Sequence, residues 1–223
     1  MEHYEVAAAG DSSYSFSEMA RLRYADLSYT LERYQNAYKG YEALLATARM
    51  DPNKQSARLG MMRSAYRSKD YAAAIAAADA VSAQRNLSAT LKDEALYIKA
   101  KSSLATSNRD QAFRLFRQLA VDPSSAIGAE SEYMLIQNLY DSGKFDAVGE
   151  EVYSFSQKAG DQSYWLARAY IVLGDSFSER GQYTQAKATF ESIRDGYEPE
   201  RGADDILDSV KMRLERLATL MQE

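Results

Sequence analysis

An alanine or valine recurs at Ala37, Ala74, Ala112, Val148 and Ala186, at intervals of 37, 38, 36 and 38 residues. Self-similarity with a period in this range marks stacked supersecondary units, each contacting its neighbours, rather than one globular core. The register holds at other offsets. Three residues before each recurrence stand Tyr34, Tyr71, Arg109, Phe145 and Tyr183, four of the five aromatic. Four residues after stand Tyr41, Ala78, Phe116, Val152 and Phe190, and seven after stand Leu44, Val81, Leu119, Phe155 and Ile193. Offsets of four and seven share a helix face, so each recurrence opens an amphipathic helix. Twelve residues before lie Ala25, Met62, Ala100, Ile136 and Gly174, inside a preceding helical segment where a small residue lets two helices approach. Each unit therefore reads as an antiparallel helix pair, and the chain as all-α.

Punctuation agrees with this phasing. Gly143 and Gly181, in SGKF and RGQY, stand two residues before the aromatic, where a left-handed residue ends a helix at little steric cost. In SFSE, Ser15 precedes Glu18 by three, the spacing of a capping box. Pro52, Pro123 and Pro199 are expected between units, and no run sustains the period-two alternation of a strand. The expected units are 15–52, 53–87, 88–123, 125–160 and 162–200. A helix over 203–222 carries Ile206, Val210, Leu214, Leu217 and Met221 on one stripe, as a capping helix would. At the other end Tyr4 and Ala7 stand 37 residues before Tyr41 and Leu44, so residues 1–10 read as the second helix of a truncated repeat. The expectation is a fragment of a longer protein whose exposed half-repeat could associate head to tail with another copy.

Residues 167–200 carry Leu173, Gly174, Phe177, Tyr183, Ala186, Phe190 and Pro199 in an order that resembles the tetratricopeptide repeat family. The period exceeds that family's repeat of about 34 residues by two to four, Lys99 occupies a usually apolar position, and Met62 and Ile136 replace a small residue. Longer units of this kind resemble the bacterial cell-envelope assembly and coordination members of the family. That resemblance implies a right-handed α-solenoid and slightly favours the periplasm or envelope over the cytoplasm. It further implies that the first helix of each unit lines a concave face. The positions that resemble groove-lining ones are Leu22, Asp26 and Tyr29; Leu59, Arg63 and Tyr66; Tyr97, Lys101 and Leu104; Tyr133, Gln137 and Tyr140; Ile171, Asp175 and Ser178. The middle of such a groove presents Arg63, Arg67 and Lys101 among Tyr66, Tyr97, Tyr133, Gln137 and Tyr140, with Asp26, Asp141, Asp175 and Glu179 toward its ends.

Composition bounds the chemistry. The 223 residues carry 27 basic and 32 acidic side chains, a net charge of -5, and show no basic stripe dense enough for nucleic acid. No apolar run approaches the ~20 residues of a membrane-spanning helix. Cysteine is absent and His3 is the single histidine, which removes thiol nucleophiles, thiolate metal sites and histidine-based triads. The adjacent carboxylates Asp93–Glu94, Glu150–Glu151 and Asp204–Asp205 point about 100° apart on a helix and do not converge on a substrate. The first and last of these pairs are expected at helix starts, where the macrodipole favours negative charge. Catalytic, cofactor-binding and metal-ligating residues are therefore all expected to be none.

Tyrosines interleaved with arginine suit the recognition of a protein segment, because rigid rings bury area at low entropic cost and cations read carboxylates. The expected function is a non-enzymatic interaction scaffold whose groove holds a protein or peptide partner, with anionic groups near Arg63, Arg67 and Lys101. The alternative is a spacer or self-assembly module with an empty groove.

Overall fold

The computed structural model describes residues 15–199 and 204–221. Residues 1–10, with His3, Tyr4 and Ala7, and both ends of the expected 203–222 helix lie outside the described residues. Within them lie eleven helices and no strand: α1 (Ser15–Thr30), α2 (Tyr34–Thr47), α3 (Asp51–Arg67), α4 (Tyr71–Ser82), α5 (Ala89–Ala105), α6 (Arg109–Leu119), α7 (Ala126–Asp141), α8 (Phe145–Ser156), α9 (Ser163–Glu179), α10 (Tyr183–Gly196) and α11 (Ile206–Leu220). Tyr34, Tyr71, Arg109, Phe145 and Tyr183 are the first residues of α2, α4, α6, α8 and α10. All five recurring residues are 0% exposed, and none of those four or seven positions later exceeds 7%.

The chain forms two compact units, Met1–Leu115 and Phe116–Glu223, divided within α6. In the first unit α1 to α5 pack consecutively, and α1 also meets α3 while α3 meets α5. In the second, α7 to α11 pack consecutively, with α7 against α9 and α9 against α11. The apolar core is correspondingly a series of clusters rather than one mass. Ala25, Ala37, Tyr41 and Leu44 form one, and Met62, Ala74, Ala78 and Val81 the next. In the second unit the clusters centre on Ile136, Val148, Val152 and Phe155, and on Phe190, Ile193, Ile206 and Val210. Nearest-neighbour packing of this sort makes each interface its own stabilising term.

The turn inside each helix pair is one motif used five times. Glu32, Lys69, Ser107, Gly143 and Gly181, each five residues before a recurrence, have φ between 58° and 70°. The amide after each donates across the turn to the preceding helix: Arg33 to Ser28 O, Asp70 to Ala65 O, Asn108 to Ser103 O, Lys144 to Leu139 O and Gln182 to Phe177 O, at 2.8 to 2.9 Å. This is Schellman closure, which satisfies helix-end carbonyls and needs a left-handed residue. Glycine takes that conformation freely, whereas a side chain costs on the order of 1 kcal/mol there. Ser107→Gly and Lys69→Gly should each raise stability by about 0.5–1 kcal/mol, and Gly143→Ala should lower it by about 1 kcal/mol. Urea midpoints of the three variants measure this; equal shifts of one sign would sink it.

Four local expectations need correction. Glu18 does not close a capping box: its carboxylate accepts from Arg49 N at 2.7 Å and Asn53 Nδ2 at 2.8 Å, tying α1 to the start of α3. Those bonds, the Asn53 one foremost, hold Glu18 below the usual carboxylate range against the opposing effect of burial. Pro52 lies within the first turn of α3, where its missing N–H removes no helical bond. Asp93 and Glu94 stand in the second turn of α5, because Ser88 is its N-cap and receives the Leu91 amide. Met221 follows α11 and is 48% exposed, while Ile206, Val210 and Leu217 of the same stripe are buried.

Candidate interaction faces

In the first unit, Leu22, Asp26, Tyr29, Leu59 and Arg63 line a cavity of about 230 Å³ on α1 and α3. Its floor exists because Gly60 lies under the Tyr41 ring, where a Cβ would come within 2.5 Å of ring carbons. Tyr41 Oη donates to Asp26 at 2.8 Å. Burial, and then this bond, push the Tyr41 phenol far above its ordinary range. The Arg63 guanidinium donates from Nε and Nη2 to both oxygens of Glu94, at 2.6 and 2.7 Å. This forked bond raises Arg63 further above its already high range, with burial opposing. An anionic ligand at Arg63 therefore competes with Glu94. Arg67, at the end of α3, donates to Tyr34 Oη at 2.9 and 3.2 Å. Tyr66 packs on Tyr71 with ring centroids 6.4 Å apart, and Lys101 Nζ lies 5.9 Å from the Tyr97 centroid.

In the second unit, Tyr133, Gln137 and Tyr140 share the α7 face that meets α9. Tyr133 lies against Trp165, with ring centroids 5.5 Å apart, and its hydroxyl donates to Gln137 Oε1 at 3.3 Å. Arg168 stands 5.1 Å from the Tyr133 centroid and 5.6 Å from that of Tyr164. It also donates to Tyr164 Oη at 2.8 Å and to Asp205 at 3.0 Å, which anchors the segment leading into α11. Gln137 Nε2 donates to Asp141 at 2.9 Å, and Tyr140 Oη reaches Glu179 at 3.5 Å. Burial first, then the charges of Asp175 and Glu179, raise the Tyr140 phenol.

Two adjoining cavities open on this face. One of about 150 Å³ is lined by Tyr133, Gln137, Arg168, Ile171, Asp175 and Arg213, among others. A larger one, about 710 Å³, takes Gln137, Tyr140, Asp175, Ser178 and Glu179 from α7 and α9 and Arg213, Arg216 and Leu217 from α11. The two share Gln137, Asp175 and Arg213. Asp175 and Arg213 form a forked ion pair, with Nε to Oδ1 at 2.7 Å and Nη2 to Oδ2 at 2.8 Å.

No family model matches the chain, and no curated protein matches it.

Among the described residues, no three acidic or histidine side chains are grouped to hold a metal ion. Nor is any helix of the described residues long and apolar enough to cross a membrane. The expected face residues fall into two sets, Arg63, Tyr66, Arg67, Tyr97 and Lys101 in the first unit and Tyr133, Gln137 and Tyr140 in the second. Sequence reasoning misses Arg213 and Arg216 because 203–222 reads as a capping helix alone. The signal was available: Asp26, Arg63, Lys101, Gln137 and Asp175 recur eleven residues before each marker, and the next step of 38 lands on Arg213. It also missed a carboxyl pair between helices, Glu132 of α7 with Glu151 of α8, having weighed only adjacent residues.

Proposed function

We propose that this chain is a non-enzymatic protein-interaction array of the tetratricopeptide kind, a right-handed stack of helix pairs whose first-helix faces hold a segment of a partner protein. The observation that carries the reading is the open groove of about 710 Å³ lined by first-helix residues Gln137, Tyr140, Asp175 and Ser178. Its size lies within the range of about 300–1,000 Å³ usual for binding sites, and its walls mix aromatic rings with charged heads. Tyrosine contributes rigid amphipathic area there, and the pairing of Asp175 with Arg213 fixes the floor before any partner arrives. The lack of cysteine and the single histidine in the sequence favour recognition over catalysis. Resemblance to envelope coordination proteins makes a bacterial envelope partner the first to seek.

The test is selection of a displayed library of random 15-residue peptides on the whole chain. Enriched peptides should bind at micromolar affinity and lose at least tenfold on Tyr140→Ala or Gln137→Ala, with helicity unchanged. A library that yields no enriched sequence after exhaustive rounds rejects the interaction reading.

A further inference from the structure

The charges lining the large groove of the second unit are Asp175, Glu179, Arg213 and Arg216. Two of the four cancel. Arg213 grips Asp175 through the forked bond and also donates to Ser209 Oγ at 2.6 Å, so both heads are consumed inside the protein. Glu179 is exposed and receives only the long 3.5 Å bond from Tyr140 Oη. Arg216 is exposed and makes no ion pair or hydrogen bond among the described residues. Its neighbours in the unit behave otherwise: Arg168 pairs with Asp205, Arg180 with Asp146 and Arg194 with Asp195. A negative head on the α9 side and a positive head on the α11 side thus stand uncompensated across one groove.

Between them the surface is apolar. α11 turns Met212 and Leu220 toward the groove, and buried Leu217, with Tyr183 and Phe190 of α10, lies beneath. Met212 is 63% exposed although it sits on a helix whose other stripe is buried. Spacings of 212, 216 and 220 put Met212, Arg216 and Leu220 on one face, distinct from the Ile206, Val210 and Leu217 stripe that seals the core. Methionine adapts its shape to whatever packs on it.

We infer that this groove takes a partner segment carrying one aliphatic or aromatic anchor, seated on Met212 and Leu220, flanked by a basic residue that meets Glu179 and an acidic residue that meets Arg216. The inference rests on the interaction reading above and adds the partner's chemistry. Opposite charges at the two ends fix the direction in which the segment lies, since the reversed peptide places like charges together. An anchor alone would bind either way round.

Peptides selected on the whole chain test this when each is measured against three proteins: the unmodified chain, the exchange variant Glu179→Arg with Arg216→Glu, and Met212→Asp. All three substituted positions are exposed, so helicity by circular dichroism should be unchanged. The expected result is enrichment of peptides with a basic and an acidic residue on opposite sides of an apolar one. Their affinity should fall more than tenfold on the exchange variant and recover when the two peptide charges are swapped. Met212→Asp should weaken both peptide forms. Peptides that bind all three proteins equally overturn this inference while leaving the interaction reading intact, because they must then use another face. Failure to enrich any peptide removes both.

Discussion

Gly174→Ala should destabilise the second unit by about 2 kcal/mol, although alanine is the better helix former by about 1 kcal/mol. Gly174 is buried in the middle of α9, facing α10. A Cβ built there lies 2.4 Å from Phe190 Cε1 and 2.6 Å from Cζ. Carbon atoms rest at about 3.5–4.0 Å, so the ring would have to retreat by about 1 Å. Phe190 is 1% exposed and packed with Ile193, Val210 and Leu217, so the ring can retreat only by disturbing that cluster at the base of the groove. Gly174→Val should cost more, because its methyls extend the clash. Gly149→Ala is the control. Its Cβ meets nothing closer than Leu173 Cδ1 at 3.8 Å, so α8 should gain about 0.5–1 kcal/mol from lost glycine flexibility. Phe190→Leu should relieve Gly174→Ala, giving a coupling of at least about 1 kcal/mol in a double-mutant cycle. Urea denaturation with hydrogen exchange on α8 to α11 measures the four single variants and the double variant. Equal effects at Gly174 and Gly149 would show that the ring yields and that this contact does not hold the helix pair closed.

That glycine was legible from sequence, since it stands in register with Ala25 and Ala100, and a helix pair must close at such a position. Burial at fixed offsets is what a repeat encodes, because every interface solves the same packing problem. The turns were legible only in part. Gly143 and Gly181 announce a left-handed residue, but Glu32, Lys69 and Ser107 adopt the same φ without any compositional sign. There the surrounding helices impose the turn and the residue bears the strain. Charge pairing was the least legible layer. Arg63 meets Glu94, 31 residues away, and Lys99 reaches Asp79 at 2.5 Å, 20 residues away. Such partners depend on the rotation of one helix against another by a fraction of a turn. A sequence fixes which face a side chain leaves from more readily than which neighbour it meets. For that reason the sequence shows Arg63 as a cation able to read an anion and gives no sign of Glu94 beside it, and it shows Arg216 only as a charge on a capping helix.

The pH dependence of stability should be dominated by Glu132. This carboxyl is 6% exposed on α7, and burial first, then its hydrogen bond to Glu151, raise it from the ordinary range to about 8, with Lys158 opposing. Two neighbouring carboxylates do not both ionise cheaply where one of them is buried, so Glu132 holds its proton toward Glu151. The sign follows from proton binding. Between the unfolded value near 4.5 and the folded value near 8, the folded chain binds more protons than the unfolded one. The contribution of Glu132 is therefore fully present below about pH 4.5 and is lost as pH rises through about 8. The total loss across that window is on the order of 2–4 kcal/mol. Glu132→Gln removes it, because the amide keeps a donor to Glu151 without a titrating proton. At pH 9 the variant should exceed the unmodified chain by on the order of 2 kcal/mol, and near pH 5 the two should coincide. Glu151→Gln should flatten the same slope partially, since burial of Glu132 persists after its charged neighbour is gone. Urea midpoints at pH 5, 7 and 9 for the three proteins decide it. Stability that is flat or rises with pH in the unmodified chain would mean that Glu132 ionises freely and that α7 and α8 are held by the apolar contacts of Ile136, Val148 and Val152 alone.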